Sequence, residues 1–165
     1  MMKKIFEDFI EPILISVVIA FLLINFVFYK VQVVGSSMYP NLENGQTGIS
    51  FVISKYFGIE RFEIVVVKTE QKDIVKRIIG LPGELVEYKD EKLYINGEYV
   101  EQSFEFIKDG TEDFSIQLGE DEYFVMGDNR PVSKDSRDIG PVSKDQIVSL
   151  HVLVFSPLSK FGFEK

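Results

Sequence analysis

An uncharged apolar run opens the chain, and short alternating runs fill the rest of it. From Pro12 to Tyr29 the sequence reads PILISVVIAFLLINFVFY, with only Ser16 and Asn25 as polar interruptions. Apolar residues on every face, with no polar stripe, predict a membrane helix rather than a helix lying on a soluble core. A bilayer core takes about 20 such residues, so the run sits near the short limit. A cleaved export signal would have a shorter apolar core followed by a small-residue cleavage site. Here the run passes into the bulky FVFYK, and Val33–Gly35 is a poor site. The expectation is an uncleaved transmembrane anchor over 12–30, a short N-terminal segment before it (1–11) and a single domain after it (31–165). Lys3 and Lys4 favour a cytoplasmic N-terminus, although Lys30 on the other flank weakens that bias.

Beyond Val31 the pattern changes to β-branched runs bounded by Gly, Pro, Asn and Asp. Ile64–Lys68, Ile74–Ile79, Leu85–Tyr88, Lys92–Ile95, Tyr123–Met126 and Ile147–Phe155 read as strands. Pro82–Gly83 and Asn96–Gly97 supply turns. No long amphipathic helix is predicted, so the fold class is mainly β and antiparallel, after a single N-terminal helix. The pentapeptide PVSKD occurs at 131–135 and again at 141–145. Five residues are too few for a repeat architecture.

Composition narrows the chemistry. The chain has 165 residues and a net charge of −8, which argues against a nucleic-acid partner. With no cysteine, thiolate nucleophiles, disulfides and Cys-based zinc sites are excluded. The single histidine is His151, so a mechanism with a histidine base must use that residue or none. Candidate nucleophiles are then Ser, Thr and Lys.

Three segments carry candidate chemistry. In Val33–Leu42, VVGSSMYPNL, Ser36 and Ser37 sit in a Gly-started, Pro-ended loop; taken alone this reads as an ordinary turn. In the strand over 74–79, Ile74, Lys76 and Ile78 share one face. A lysine between two isoleucines is either desolvated, with a lowered pKa and a usable amine base, or a packed stem with its head in water. Arg77, on the opposite face, is equally ambiguous. The third segment, Met126–Gly140, offers Asp128, Arg130, Ser133, Asp135 and Arg137, which can form a bidentate network, a solvated loop or a cation site without EF-hand spacing.

In order and wording these segments resemble the bacterial type I signal peptidases of the small, single-anchor kind. The matching stretches are GSSMYPNL, IVKRIIGLPGELV and GDNRPVSKDSRDIG, supported by RFEIVVVK, LYINGEYVEQ and VFSPLSKFGF. The resemblance implies a signal-peptidase/LexA-like antiparallel β catalytic domain and a serine endopeptidase that removes signal peptides. It makes Ser37 the nucleophile and Lys76 the general base, with Ser133, rather than Ser143, orienting the lysine amine. Asp135 and Arg137 then stabilise the site loop, with Asp128 supporting. Val33, Met38, Leu42, Ile74 and Val75 line pockets for small substrate residues at the −1 and −3 positions. No cofactor or metal is implied. The partners implied are secretory precursors, membrane lipid and the secretion translocon. The implied location is the cell membrane, single-pass, with the N-terminus cytoplasmic and residues 31–165 extracytoplasmic.

Several positions depart from the family's pattern. Gln46 stands where Asp is usual, Asn41 where Thr is common, and RFEIVV replaces RGDIVV. Pro131–Val132 replaces a polar pair, and Ser149 stands at a usual glycine. Gly35, two residues before Ser37, lacks the hydroxyl that helps some members hold the oxyanion. A LexA-type self-cleaving protein would carry a DNA-binding domain where this chain has its apolar run. The endoplasmic-reticulum signal peptidase subunit uses His where this chain has Lys76. A membrane-tethered β module that binds partners without catalysis is the non-enzymatic alternative.

Overall fold

A computed structural model describes residues 6–108 and 111–164. A π-helical turn, Phe6–Ile10, leads into helix α1, Glu11–Phe26. Its apolar side chains are exposed on all sides, from Ile13 and Leu14 to Ile24 and Phe26. Among the described residues no helix is long and apolar enough to cross a membrane. The 16 residues of α1 rise about 24 Å at 1.5 Å each, against a hydrocarbon core of about 30 Å. The expected anchor over 12–30 therefore divides. Its first part is α1, while Phe28, Tyr29 and Lys30 belong to strand β1, Phe28–Gln32. The reason is pairing: β1 runs antiparallel to β2, Thr47–Phe51, with Phe28 opposite Phe51 and Gln32 opposite Thr47.

The remainder is antiparallel β, as expected. The other strands are β3 (Ile64–Lys68), β4 (Asp73–Gly80), β5 (Leu85–Lys89), β6 (Lys92–Ile95), β7 (Glu98–Val100), β8 (Phe114–Gln117), β9 (Glu122–Met126), β10 (Val142–Ser143), β11 (Ile147–Ser156) and β12 (Gly162–Glu164). The larger sheet runs β1-β2-β11-β3-β4-β9-β10, with β12 added beside β11. A four-stranded sheet runs β7-β6-β5-β8.

Three apolar clusters share the interior. β3 is central and buried on both faces, which explains its continuous apolar run: Ile64 and Val66 enter the first cluster, Val65 and Val67 the second. The first cluster also holds Val31, Val33, Met38, Leu42, Val152 and Val154. The third lies under the small sheet around Val86, Tyr88, Leu93 and Phe124. β4 touches all three, through Val75, then Ile74 and Ile78, then Ile79. Burying a large aliphatic side chain contributes about 1.5–3 kcal/mol, so each cluster holds β4 firmly.

Candidate active site

The loop after β1 carries Ser36 and Ser37. It is closed at its base by backbone bonds from Val33 N–H to Gln46 O and from Gly45 N–H to Val33 O, each 2.9 Å. Gly35 adopts φ +90, a conformation that favours glycine, and its N–H donates to Asn44 Oδ1 at 2.8 Å. Met38 and Leu42, both buried, drop from the loop into the first cluster. Gln46 is buried too, and its side-chain carbonyl accepts from Glu43 N–H at 3.0 Å. That bond gives a physical reason for glutamine at this departure from the family's pattern.

Ser37 Oγ lies 2.7 Å from Lys76 Nζ. Ser36 is exposed. Lys76 is only 3% exposed, and Ile74 and Ile78, its neighbours on that face of β4, join the second cluster. Desolvation pushes its pKa down to about 8, against the opposing pull of the Asp135 and Asp128 carboxylates. The amine therefore exchanges its proton near neutral pH, as a base working there must. The Ser37 N–H, by contrast, donates to no acceptor among the described residues.

The polar segment after β9 closes the site from the other side. Asn129 N–H donates to the Ser37 backbone carbonyl at 2.9 Å. Gly127 lies against the same carbonyl: a Cβ there would sit 2.5 Å from Ser37 O and 2.2 Å from Ser133 Oγ. Sequence reasoning missed Gly127 as a site residue; its place inside the GDNR stretch was the available signal. Asp135 is fully buried. It accepts from Arg137 Nε at 2.8 Å and Nη2 at 2.9 Å, and from Gly127 N–H at 2.9 Å. Burial alone would raise its pKa, but Arg137, the Gly127 N–H and the nearby Ser133 hydroxyl outweigh that and hold it below the ordinary carboxylate value. Asp135 also caps the one-turn helix Ser136–Ile139. Ser133 Oγ is buried without a hydrogen-bond partner, so the structure does not join it to the Lys76 amine.

Arg77 settles the ambiguity of its face. It is fully buried and grips Asp128 with Nε at 2.8 Å and Nη2 at 2.7 Å. Its third nitrogen, Nη1, donates to Phe62 O at 2.7 Å, and its guanidinium lies 4.1 Å from the Phe104 ring centre. Asn41 completes the link, with Nδ2 donating to Asp128 Oδ2 and to Glu105 O, each at 2.7 Å. The serine loop, the lysine strand and the last loop are thus joined through one buried carboxylate. Of the expected lining residues, Val33, Met38, Leu42 and Val75 meet in the first cluster, whereas Ile74 packs in the second.

Two strand edges lead to the pair. β1 is the end of its sheet and, among the described residues, pairs only with β2. β4 pairs with β9 only from Arg77 onward, so the outer edge of Asp73–Lys76 carries no ladder partner among the described residues. The Tyr29 hydroxyl, from β1, donates to Asp73 Oδ2 on β4.

An antiparallel β protein with a serine held against a buried lysine defines a class of serine hydrolases that work without histidine. The model of the signal peptidase family, peptidase S26, matches residues 6–156. Signal peptidase I S of Bacillus subtilis (strain 168) is 40% identical over 96% of this chain and 93% of its own length. Signal peptidase IB of Staphylococcus aureus (strain MRSA252) is 34% identical over 98% of this chain and 95% of its own. A crystal structure of a signal peptidase I from Enterococcus faecalis V583 superposes with TM-score 0.51 at 35% identity, covering 56% of this chain and 96% of that one. The chain belongs to the signal peptidase family, peptidase S26, and is a signal-peptidase enzyme.

Proposed function

We propose that this chain is a membrane-bound signal peptidase that cuts exported precursors with Ser37 as nucleophile and Lys76 as general base. The observation that carries the reading is the 2.7 Å approach of Lys76 Nζ to Ser37 Oγ, with the lysine buried and its pKa lowered to about 8. The neutral amine takes the Ser37 proton as Oγ attacks the scissile carbonyl. The resulting ammonium gives that proton to the leaving amine, leaving an acyl-enzyme on Ser37. The amine, neutral again, then takes a proton from water, and hydroxide attack on the ester releases the signal peptide and restores Ser37. The Ser37 N–H is the donor available for the oxyanion; Gly35 supplies no second hydroxyl.

Asp135, Arg137 and Asp128 act as positioning residues that hold the loops around the pair. Ser133 orients the Lys76 amine once substrate is bound, by turning its unpartnered hydroxyl toward it. Val33, Met38, Leu42, Ile74 and Val75 form the apolar lining for small substrate residues.

The helix α1 is read as the membrane anchor, because its apolar residues are exposed all round and the preceding π-turn lengthens it toward the bilayer span. Membrane lipid then surrounds it, the N-terminus is cytoplasmic, and the β domain meets precursors at the outer surface, beside the secretion translocon. The test compares wild type, Ser37→Ala and Lys76→Met in detergent on one secretory precursor, with circular dichroism as the folding control. Loss of cleavage in both folded variants is expected. Full activity in either one removes that residue from the mechanism.

A further inference from the structure

A groove outside the site described above opens beside the nucleophile's own loop. Its volume is about 530 Å³, and it is lined by Pro40 at the serine loop, by Tyr99 and Val100 of β7, and by Phe104 and Phe106 of the segment that follows. Pro40 stands three residues beyond Ser37, so the groove begins within about 11 Å of it along the chain. Two features suit an extended peptide. The first is an open strand edge: β7 ends the small sheet and, among the described residues, pairs only with β6. The two-residue turn Asn96–Gly97 makes Ile95 and Glu98 a hydrogen-bonded pair, so the next pair, Tyr94 and Tyr99, turns its backbone groups outward. The N–H and C=O of Tyr99 therefore point out of the sheet edge, where an added strand takes them up. The second feature is a fixed aromatic wall. Phe104 and Phe106 have ring centroids 5.4 Å apart, and each has a buried guanidinium against it, Arg77 at 4.1 Å and Arg130 at 4.5 Å. Such cation–π contacts hold the rings in place, and Tyr99, 59% exposed, adds a third ring.

The wall of the groove is tied to Ser37. Ile107 bridges Asn129 in parallel, and its N–H donates to Asp128 O at 2.9 Å. Asn129 N–H in turn holds the Ser37 carbonyl. Arg130 makes a second tie, with Nη2 on Gln102 Oε1 at 2.7 Å and Nε on Gly127 O at 2.9 Å. The anchor identifies the occupant. α1 ends at Phe26 and β1 begins at Phe28, so the β1 side of Ser37 is the membrane side, where a precursor's signal segment is held. The groove lies on the other side of the serine loop, on a sheet that shares no ladder with β1. Its rim carries Glu91, Glu101 and Glu105 against Lys92 and Lys108, so backbone pairing and apolar contact, rather than one sign of charge, recognise what binds. Resting on the function proposed above, we infer that this groove receives the first stretch of the mature protein, beyond the cut, as an extended strand on the edge of β7.

The experiment uses the full chain in detergent and two substrates with the same signal segment and cleavage site. One carries about ten residues of mature sequence; the other is amidated two residues after the cut, too short to reach the groove. Wild type, Tyr99→Ala and Tyr99→Phe are compared by kcat and KM on each. Wild type should favour the long substrate in kcat/KM. Tyr99→Ala should lower that preference about fivefold or more, mainly through KM, while its rate on the short substrate stays within about twofold of wild type. Tyr99→Phe keeps the ring and should keep the preference. A wild type without the preference, a Tyr99→Ala variant that retains it, or equal proportional losses on both substrates overturns the assignment while leaving the enzyme's function standing. A second copy of the chain seated in the groove would appear in sedimentation as a dimer that Tyr99→Ala dissociates, and would also overturn it. A wild type that cuts neither substrate overturns the functional reading and the assignment with it.

Discussion

The backbone N–H of Asn129 is bonded to the backbone carbonyl of Ser37 at 2.9 Å, with Gly127 pressed against the same carbonyl. The last loop thus positions the serine through main chain, where side-chain substitutions reach it only indirectly. Gly127→Ala introduces a methyl group 2.2 Å from Ser133 Oγ and 2.5 Å from Ser37 O, so one of the two loops must shift. A displacement approaching 1 Å at the nucleophile lowers activity about 100-fold. Cleavage rate and thermal melting measured on the same sample check this, with the rate falling far more than the stability.

Activity should rise with pH through about 8, because the base proposed above is neutral Lys76 and burial lowers its pKa to that value. The measurement is kcat/KM against pH on one precursor, which reports groups that titrate in the free enzyme. A profile flat between pH 7 and 9 would exclude the amine as the group that titrates.

The same burial makes a stability prediction with a definite sign. The Lys76 pKa is lowered from 10.5 to about 8, so between those values the unfolded chain binds more protons than the folded one. Wild-type stability therefore rises with pH across that window, and below about pH 8 the full desolvation cost, of order 3 kcal/mol, is present. Lys76→Met should melt higher than wild type at pH 7, and its advantage should vanish by about pH 10.5.

Arg77→Met leaves Asp128 buried without its bidentate partner. Breaking such a pair costs about 3–5 kcal/mol, and here it leaves the uncharged Asn41 amide as the side-chain donor still on Asp128. Chemical denaturation should show a loss of that size. Arg77→Lys should recover little of it, since a single ammonium cannot replace a guanidinium that grips Asp128, Phe62 O and the Phe104 ring together.

Ser133→Ala separates position from stability. The hydroxyl makes no hydrogen bond of full geometry and only adds to the groups that favour the Asp135 carboxylate, so removing it should change the melting temperature little. If it turns to the Lys76 amine when substrate binds, kcat falls at least tenfold; wild-type kcat in this variant excludes that role.

How far these features could be read from the sequence depends on their range. The strands Ile64–Lys68 and Lys92–Ile95 coincide with the observed β3 and β6, because alternating or doubly buried β-branched runs declare themselves locally. Phe28–Lys30 read as anchor because nothing local separates an apolar helix end from an apolar strand start; only β2, itself a short TGISF segment, makes the distinction. β8 reads FSIQ, too brief and polar to announce a strand before β5 is there to pair with it. In the site, Lys76 between two isoleucines was legible as a choice between burial and snorkelling, and packing made the choice. Asn41, Gln46 and Gly127 were not legible as site residues, since each acts through a partner remote in the chain or through backbone contact. Phe62, which stands at the usual Gly of RGDIVV, adopts φ +73. That unfavourable backbone is accompanied by packing of its ring against Phe104, with centroids 5.2 Å apart.

Among the described residues β4 is the one strand that enters all three apolar clusters, and it also carries Lys76. No cluster can loosen without loosening the strand that holds the proposed base. This enzyme has no spare part to lose first: catalytic competence and tertiary structure should fail together on heating. Wild-type enzyme that is heated and still shows its cooperative melt should still cleave its precursor at the full rate.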